Sequence, residues 1–222
     1  MQGHLKIRSY HSADYKECRE IYSQGMQQFI CDITHFIFSN LLWYIAMVTI
    51  CAVMASLKWF FWILFASLLL CLVLWFLLYV LVYLKCRKFI NHSLKTDLMD
   101  IDKIYMANKG CHMWVAEWNG KVVGMVGLVQ NENLKAGTSE LQRMYVSRTC
   151  QKMGVGSKLL EELLKYSKEE GLEKIVLTTS STQGPAIRLY RKFGFKLIKG
   201  KTITPNFIFK DPLTVMSFEL VL

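Results

Sequence analysis

A single stretch of 52 residues, positions 33–84, constrains the fold of this chain more than any other feature. Of these residues 44 are apolar, and Lys58 alone carries a formal charge. A membrane-spanning helix needs about 20 apolar residues, so the stretch is long enough for two. A secretory signal would start near residue 1 and end after roughly 30 residues, which does not fit a stretch that begins at position 33. The sequence therefore predicts a membrane-embedded helical hairpin, with spans at residues 36–57 and 59–84 and its tip near Lys58.

Basic residues flank this stretch on both sides. Lys16 and Arg19 precede it, and Arg87 and Lys88 follow it. Because positively charged flanks stay in the cytosol, both ends of the hairpin are predicted on the cytosolic face. The alternative is one long tilted span, which would separate the two flanks across the bilayer. The net charge of +10 suits anionic lipid headgroups or a phosphorylated cofactor. The sequence has no long basic run and no nucleic-acid-binding motif, so we expect no nucleic-acid partner.

The seven cysteines are scattered and form no Cys-x-x-Cys pair. This distribution argues against a zinc site and against a disulfide framework, and it indicates a reducing compartment. We therefore expect no bound metal.

The residues outside the apolar stretch carry alternating strand and helix patterns. The predicted strands occupy residues 5–8, 113–116, 121–130, 141–146, 175–177, 196–203 and 213–220. Four helices are predicted. The first begins after a capping Asp14, and the others occupy residues 97–107, 157–168 and 184–193. This order predicts an α/β fold with one mixed central sheet flanked by helices. The membrane hairpin would be inserted after the first strand and helix.

The loop that follows the strand at residues 144–146 carries the strongest local signal for chemistry. It places Gly154 and Gly156 immediately before an amphipathic helix. A helix N-terminus presents unpaired backbone N–H groups and about half a positive charge. Glycines let such a backbone approach a pyrophosphate closely, and Lys152 adds positive charge. The loop is therefore a candidate phosphate site, although a plain tight turn has the same glycine pattern.

A second motif stands about 30 residues downstream, where residues 186–195 read AIRLYRKFGF. The two motifs together resemble the GNAT acyltransferase superfamily, whose pattern is Gln/Arg-x-x-Gly-x-Gly/Ala followed by Ala-x-x-Leu-Tyr-x-x-x-Gly-Phe. The resemblance implies a GNAT-type fold and acetyl-CoA as cosubstrate, with no metal.

Three further segments make the resemblance closer. Residues 96–101 (TDLMDI), 114–117 (WVAE) and 122–127 (VVGMVG) look like the camello-like, or N-acetyltransferase eight, family. The match covers nearly the whole chain. Characterised members of that family are membrane-bound N-acetyltransferases of the endoplasmic reticulum. The resemblance thus implies an acetyltransferase domain made of residues 1–32 and 85–222 at the endoplasmic reticulum membrane, with the hairpin at residues 33–84. The basic flanks predict that this domain lies on the cytosolic face.

The resemblance also implies roles for individual residues. The cofactor-binding set would be Met144, Tyr145 and Val146 beside the pantetheine arm, and Gln151, Lys152, Met153, Gly154, Val155, Gly156 and Ser157 around the pyrophosphate. The backbone amide of Tyr145 or Val146 would polarise the acetyl carbonyl, and the Tyr190 hydroxyl would protonate the departing CoA thiolate.

The general base stays open at this point. Glu140 is the nearest carboxylate, but a solvated glutamate at a strand end has the same pattern. Gln183 stands where many relatives have asparagine, and Thr178 and Thr179 stand where some have glutamate. These departures favour a water-mediated route.

The resemblance implies transfer of acetyl from acetyl-CoA to a primary amine, with the α-amine of cysteine S-conjugates as the first candidate acceptor. Lysine side chains of proteins are the alternative acceptor, and aspartate ranks third because the sequence has no distinctive basic acceptor pocket. A non-catalytic membrane or adhesion-related module is an alternative from another class. The expected partners are a small amine substrate and the lipid bilayer, and the oligomeric state stays open.

Overall fold

The computed structural model describes residues 4–55, 60–130, 134–203 and 213–222. Its strands are β1 Leu5–Ser9, β2 His112–Trp118, β3 Lys121–Val129, β4 Thr138–Val146, β5 Lys174–Ser180, β6 Lys196–Thr202 and β7 Thr214–Val221. Its longer helices are α1 Tyr15–Ala55, α2 Phe60–Lys95, α3 Val155–Glu169 and α4 Gly184–Lys192. The mixed α/β fold predicted from the sequence is confirmed.

The seven strands form one sheet in the order β1-β2-β3-β4-β5-β7-β6. All neighbours are antiparallel except β4 and β5, which are parallel and joined through α3. β1 precedes the apolar stretch, yet it pairs with β2 beyond it, from Leu5 opposite Trp118 to Ser9 opposite Trp114. Residues on both sides of the stretch therefore contribute to the same sheet.

Each face of the sheet is covered by its own hydrophobic cluster. On one face α1 buries Cys18, Tyr22 and Met26 together with Leu98 and Tyr105. The other face is covered by apolar residues of α3 and α4, namely Leu159, Leu160, Leu163 and Ile187. Burying a leucine of this kind contributes about 1.5–3 kcal/mol, so both layers hold the sheet in place.

Two local predictions differ from the observed elements. The helix after Asp14 continues without a break into the first predicted span, and the structure describes both as one helix, α1, as far as Ala55. Asp14 does not cap it, because its carboxylate accepts hydrogen bonds from Arg8 at 2.6 and 2.9 Å and from the His11 amide at 2.9 Å. The helix predicted at residues 97–107 is instead a turn followed by one π-helical turn, Asp102–Met106.

The predicted tip of the hairpin, at Lys58, lies outside the described residues. Within the parts of the chain that the structure describes, no helix combines the length and the apolar content that crossing a membrane requires.

Candidate active site

The sheet opens between β4 and β5. The two strands pair at three positions, Thr138 with Lys174, Ser139 with Ile175 and Glu140 with Val176. Beyond Glu140 the strands diverge, while β4 continues to pair with β3 and β5 continues to pair with β7. The divergence leaves one edge of β4 free to contact a ligand.

A β-bulge lies in β4 at this opening. Met125 is opposite Tyr145 and Gly127 is opposite Gln142, so Arg143 and Met144 together face a single residue of β3. Arg143 has a φ of 53°, in the left-handed region. Such a conformation costs a non-glycine residue on the order of 1–3 kcal/mol and persists only where surrounding contacts impose it.

The side chain of Arg143 supplies those contacts. Its Nε and Nη2 atoms donate to the two oxygens of Asp97 at 2.7 and 2.8 Å, and Nη1 donates to the Tyr22 hydroxyl at 3.2 Å. Tyr105 donates its hydroxyl to Asp97 at 2.8 Å. Burial alone would lower the pKa of Arg143, but the hydrogen bonds and charge of Asp97 raise it above its usual value. The ionised pair thus ties the bulge to α1 and to the segment after α2.

The predicted cofactor loop forms one wall of a cleft of about 360 Å³, which we call the loop cleft. Eight of the ten predicted cofactor residues line it: Met144, Val146, Gln151, Lys152, Gly154, Val155, Gly156 and Ser157. Tyr145 and Met153 do not line it. Sequence reasoning did not select four further lining residues, Cys150, Pro185, Ala186 and Leu189.

The start of α3 is arranged as the glycine pattern predicts. Gly154 adopts φ 81°, a left-handed conformation that glycine reaches without strain. The first helical hydrogen bond runs from the Lys158 amide to the Gly154 carbonyl at 3.1 Å. The amides of Val155, Gly156 and Ser157 precede that bond and point from the helix N-terminus, where an anion binds most favourably.

A second cavity of about 330 Å³ lies in the opening itself, and we call it the strand pocket. Glu140 lines it and accepts a hydrogen bond from Gln142 Nε2 at 2.6 Å. Met144 and Tyr190 line both the strand pocket and the loop cleft. These two side chains therefore mark the junction of the two cavities.

Tyr190 is almost fully buried at this junction, with 6% of its surface exposed. Its hydroxyl lies 3.7 Å from the Met144 sulfur. Burial raises the pKa of Tyr190 far above its usual value, so the hydroxyl stays protonated throughout the neutral range.

Tyr145 faces the opposite direction from the loop cleft. Its ring meets the Tyr22 ring edge-on at 5.2 Å, and its hydroxyl donates to the Met26 sulfur at 3.0 Å. A side chain at Gly25 would overlap this ring, so α1 fits against β4 only with glycine at that position.

The backbone amides of β4 alternate between β3 and the opening. The Ser147 amide donates to the Val123 carbonyl oxygen at 2.8 Å. By alternation the Tyr145 amide also faces β3, whereas the Val146 amide faces the opening. The Val146 carbonyl accepts from Gln151 Nε2 at 3.2 Å on that same side. Of the two predicted amide donors, Val146 is therefore the one that faces the loop cleft.

The residues that depart from the family pattern around the general base also lie at the opening. Thr178, Thr179 and Gln183 line the strand pocket together with Glu140. Thr179 donates its hydroxyl to Gln183 Oε1 at 2.5 Å, which joins the end of β5 to the start of α4. Across the described ranges, no group of histidine, cysteine and acidic residues is placed to hold a metal ion.

Comparison with known proteins agrees with this geometry. The family described as the acetyltransferase (GNAT) family matches residues 80–195. The chain belongs to the GNAT acetyltransferase family. N-acetyltransferase 8 of Mus musculus is 30% identical over 86% of this chain and 84% of its own length. The N-acetyltransferase camello of Xenopus tropicalis is 27% identical, with 87% of each chain covered. These relatives confirm the camello-like resemblance.

Solved structures support the fold. A GNAT-family acetyltransferase from Staphylococcus aureus superposes with a TM-score of 0.60 at 18% identity and covers 99% of both chains. A structure from Salmonella typhimurium, solved with its cofactor acetyl-CoA, has a TM-score of 0.53 at 17% identity and covers 98% of this chain and 94% of its own. As a member of the family, the chain is an acetyl-CoA-dependent acyltransferase.

Proposed function

We propose that this enzyme is a membrane-attached N-acetyltransferase that moves acetyl from acetyl-CoA to a primary amine where its two cavities meet. The observation that carries the proposal is that Met144 and Tyr190 line both the loop cleft and the strand pocket. A thioester held in the loop cleft would present its carbonyl to an amine in the strand pocket at this point.

Backbone groups would hold and polarise the cosubstrate. The amides of Val155, Gly156 and Ser157 suit the pyrophosphate of CoA, and Lys152 adds a mobile positive charge. The Val146 amide would donate to the acetyl oxygen as negative charge develops on it. A fixed donor of this kind lowers the barrier because it needs no rearrangement during the reaction.

Tyr190 would supply the proton that the departing CoA thiolate takes up. Its raised pKa keeps the hydroxyl protonated and available as a hydrogen-bond donor to the sulfur. Solvent would then return a proton to the phenol.

An amine acceptor enters as an ammonium ion and must lose a proton before it attacks. Glu140 lines the strand pocket, and this supports it as the carboxylate that would accept that proton, directly or through water. Thr178 and Gln183 in the same pocket can hold such a water. Glu140 and a water chain thus remain the two routes.

The cysteine S-conjugates remain the first acceptor that we propose. The strand pocket pairs the Glu140 carboxylate, which suits the ammonium group, with Phe89 and Leu177, which suit an apolar substituent. Lysine side chains are the second candidate, because Glu140 would attract any ammonium group.

The proposed attachment to the membrane rests on the surface of α2. Large apolar side chains along it are half exposed or more, including Trp62, Phe65, Leu69, Leu72, Phe76 and Leu81. Exposed apolar area of this extent is costly in water and favourable in lipid. We place the enzyme in the endoplasmic reticulum membrane, with its catalytic domain on the cytosolic face.

An acetyl-CoA consumption assay tests the transfer reaction. The purified full chain is offered cysteine S-conjugates, lysine peptides and aspartate, and we expect turnover with S-conjugates to exceed turnover with the other two. Calorimetry with acetyl-CoA addresses the non-catalytic alternative, because folded protein that binds no acetyl-CoA would favour it.

Protease treatment of intact microsomes tests the topology. We expect protease added from outside to destroy the catalytic domain. Full protection of the domain would contradict the cytosolic placement.

A further inference from the structure

A third cavity, of about 410 Å³, lies between α1 and the turn that follows β4. We call it the α1 groove. Its α1 wall carries polar side chains, and its other wall is the end of β4 and the 3₁₀ turn Arg148–Cys150. The polar lining residues are Gln24, Gln27, Gln28, Ser147, Arg148 and Thr149.

The α1 groove is next to the place where α1 enters the apolar stretch. Gln28 and Cys31 line the groove, and the stretch begins at residue 33. One turn of helix spans 5.4 Å, so the groove lies within about two turns of the first apolar residues. If the apolar surface enters lipid, as proposed above, the groove is at the level of the lipid headgroups.

The groove also has the charge and the donors that an anion requires. Arg148 is its single charged lining residue and is exposed. None of the ion pairs among the described residues involves Arg148. Gln27 and Gln28 contribute amide groups, and Gln24 contributes the N–H that it does not donate to Glu20, its partner at 3.1 Å. The Ser147 and Thr149 hydroxyls lie 3.2 Å apart and hydrogen-bond to each other, so a phosphate would accept from this pair. An arginine surrounded by neutral donors suits a phosphate.

We propose that the α1 groove binds the phosphate of an anionic lipid headgroup and thereby strengthens the binding of acetyl-CoA. The inference rests on the proposed membrane attachment and on the proposed acetyl-CoA site. It adds a lipid-binding site whose occupancy raises the affinity of the loop cleft for acetyl-CoA. The occupant is a phospholipid of the bilayer, because the groove borders the apolar surface.

The link to acetyl-CoA runs through residues 146–151. Val146 lines both the α1 groove and the loop cleft. Gln151 holds the Val146 carbonyl at 3.2 Å, and Cys150, at the end of the 3₁₀ turn, lines the loop cleft. A headgroup bound to Arg148 would restrict this segment before acetyl-CoA arrives, so less ordering would remain for the cosubstrate to impose.

Hydrogen exchange on the full chain in detergent micelles tests the site without any need for turnover. Short-chain phosphatidylserine is compared with short-chain phosphatidylcholine and with free glycerophosphoserine. We expect the serine lipid alone to slow exchange at residues 147–151, because both lipids carry the phosphate but only phosphatidylserine has the net negative charge that Arg148 attracts. Equal protection by the choline lipid or by free glycerophosphoserine would overturn the assignment to an anionic lipid, as would no protection by any of them.

Arg148→Gln and a matched control, Arg191→Gln, show whether the arginine carries the effect. Arg191 is exposed on α4 and lines none of the three cavities. We expect phosphatidylserine to tighten acetyl-CoA binding about fivefold in the wild type and in Arg191→Gln, which is the low end of the usual range for coupling between two binding sites. Arg148→Gln should lose this gain and the protection.

If phosphatidylserine tightens acetyl-CoA binding and slows exchange in Arg148→Gln as much as in the wild type, the proposal is overturned. It is also overturned if phosphatidylserine slows exchange in the wild type but does not raise its affinity for acetyl-CoA. Failure of the proposed function would have a different result. In that case no form of the protein would bind acetyl-CoA, whereas the exchange at residues 147–151 would still report on the lipid.

Discussion

Replacing Asp97 with asparagine tests whether the buried ion pair holds the β4 bulge. The substitution keeps the size of the side chain and removes its charge. Arg143 would keep its hydrogen bond to the Tyr22 hydroxyl at 3.2 Å, but it would lose the carboxylate that accepts at 2.7 and 2.8 Å. A largely buried guanidinium would then lack a counter-charge.

The size of the effect follows from the burial of the pair. Removing one partner of a fully buried ion pair costs about 3–5 kcal/mol. The side chains of Arg143 and Asp97 are 16% and 18% exposed, and the asparagine oxygen still accepts one hydrogen bond. We therefore expect Asp97→Asn to lower the free energy of unfolding by about 3 kcal/mol, at the low end of that range. Met144 and Val146 would shift with the bulge, and a displacement of about 1 Å can cost 10²-fold in kcat.

Denaturant unfolding in detergent of Asp97→Asn, Arg143→Gln and the double variant measures the stability that each substitution removes and the coupling free energy between the two side chains. The double variant leaves no unpaired charge, so it should lose less stability than the two single losses added together, with a coupling free energy of about 2 kcal/mol. Additive losses, or a cost below about 1 kcal/mol for Asp97→Asn, would refute the reasoning. Unchanged kcat in a folded Asp97→Asn protein would refute the link from the ion pair to the bulge.

Three further predictions concern single positions. In Gly156→Ala the new methyl would lie 3.3 Å from Leu189 Cδ2 and 3.5 Å from Met144 Cε, inside the loop cleft. Calorimetry should therefore show acetyl-CoA binding weakened about tenfold, while stability is maintained because alanine favours a helix; unchanged binding would contradict the assigned cleft. Tyr145 also lines the strand pocket. Gly25→Ala should displace its ring into that pocket, which raises KM for the acceptor and costs about 1–3 kcal/mol of stability; wild-type values for both would show that the contact is not restrictive. Burial lowers the pKa of His112 below its usual 6.5, so its contribution to stability is present above that pH and is lost as pH falls through the folded-state pKa. His112→Gln should accordingly lose less stability than the wild type between about pH 7 and pH 5, as followed by thermal unfolding, and an equal loss would contradict this role.

The cofactor half of the site could be predicted because its signals are local. Gly154 and Gly156 before an amphipathic helix describe a loop and a helix N-terminus that are contiguous in sequence. The helix that contains Tyr190 has its own pattern, and family resemblance gave the tyrosine a role. Eight of ten named cofactor residues consequently line one cleft.

The acceptor half depends on contacts between distant parts of the chain. Arg143 and Asp97 are 46 positions apart, and Arg143 and Tyr22 are 121 apart. No periodicity or spacing links such residues, and the bulge that gives Arg143 its unusual backbone has no turn residue to mark it. Which backbone amide faces the opening, that of Tyr145 or that of Val146, depends on the register of β4 with β3, and the sequence does not give this register.

The apolar stretch is the clearest example of composition and topology giving different information. Composition identified residues 33–84 as a unit. The pairing of β1 with β2 shows that the chain returns to the same sheet after that unit. The continuity of α1 could not be read from the sequence. The patterns before and after Asp32 both favour a helix, but the change in polarity at Asp32 indicates two separate elements.

Acetyl transfer by Tyr190→Phe tests whether transfer takes place where the two cavities meet, because Tyr190 lines both of them. Single-turnover acetylation of an accepted amine should slow by about 10²–10⁴-fold, the usual contribution of a general acid, while the acetyl-CoA dissociation constant stays within about twofold of the wild type. A variant that retains the full transfer rate across the accessible pH range would contradict the role of Tyr190 as the proton donor to the CoA thiolate.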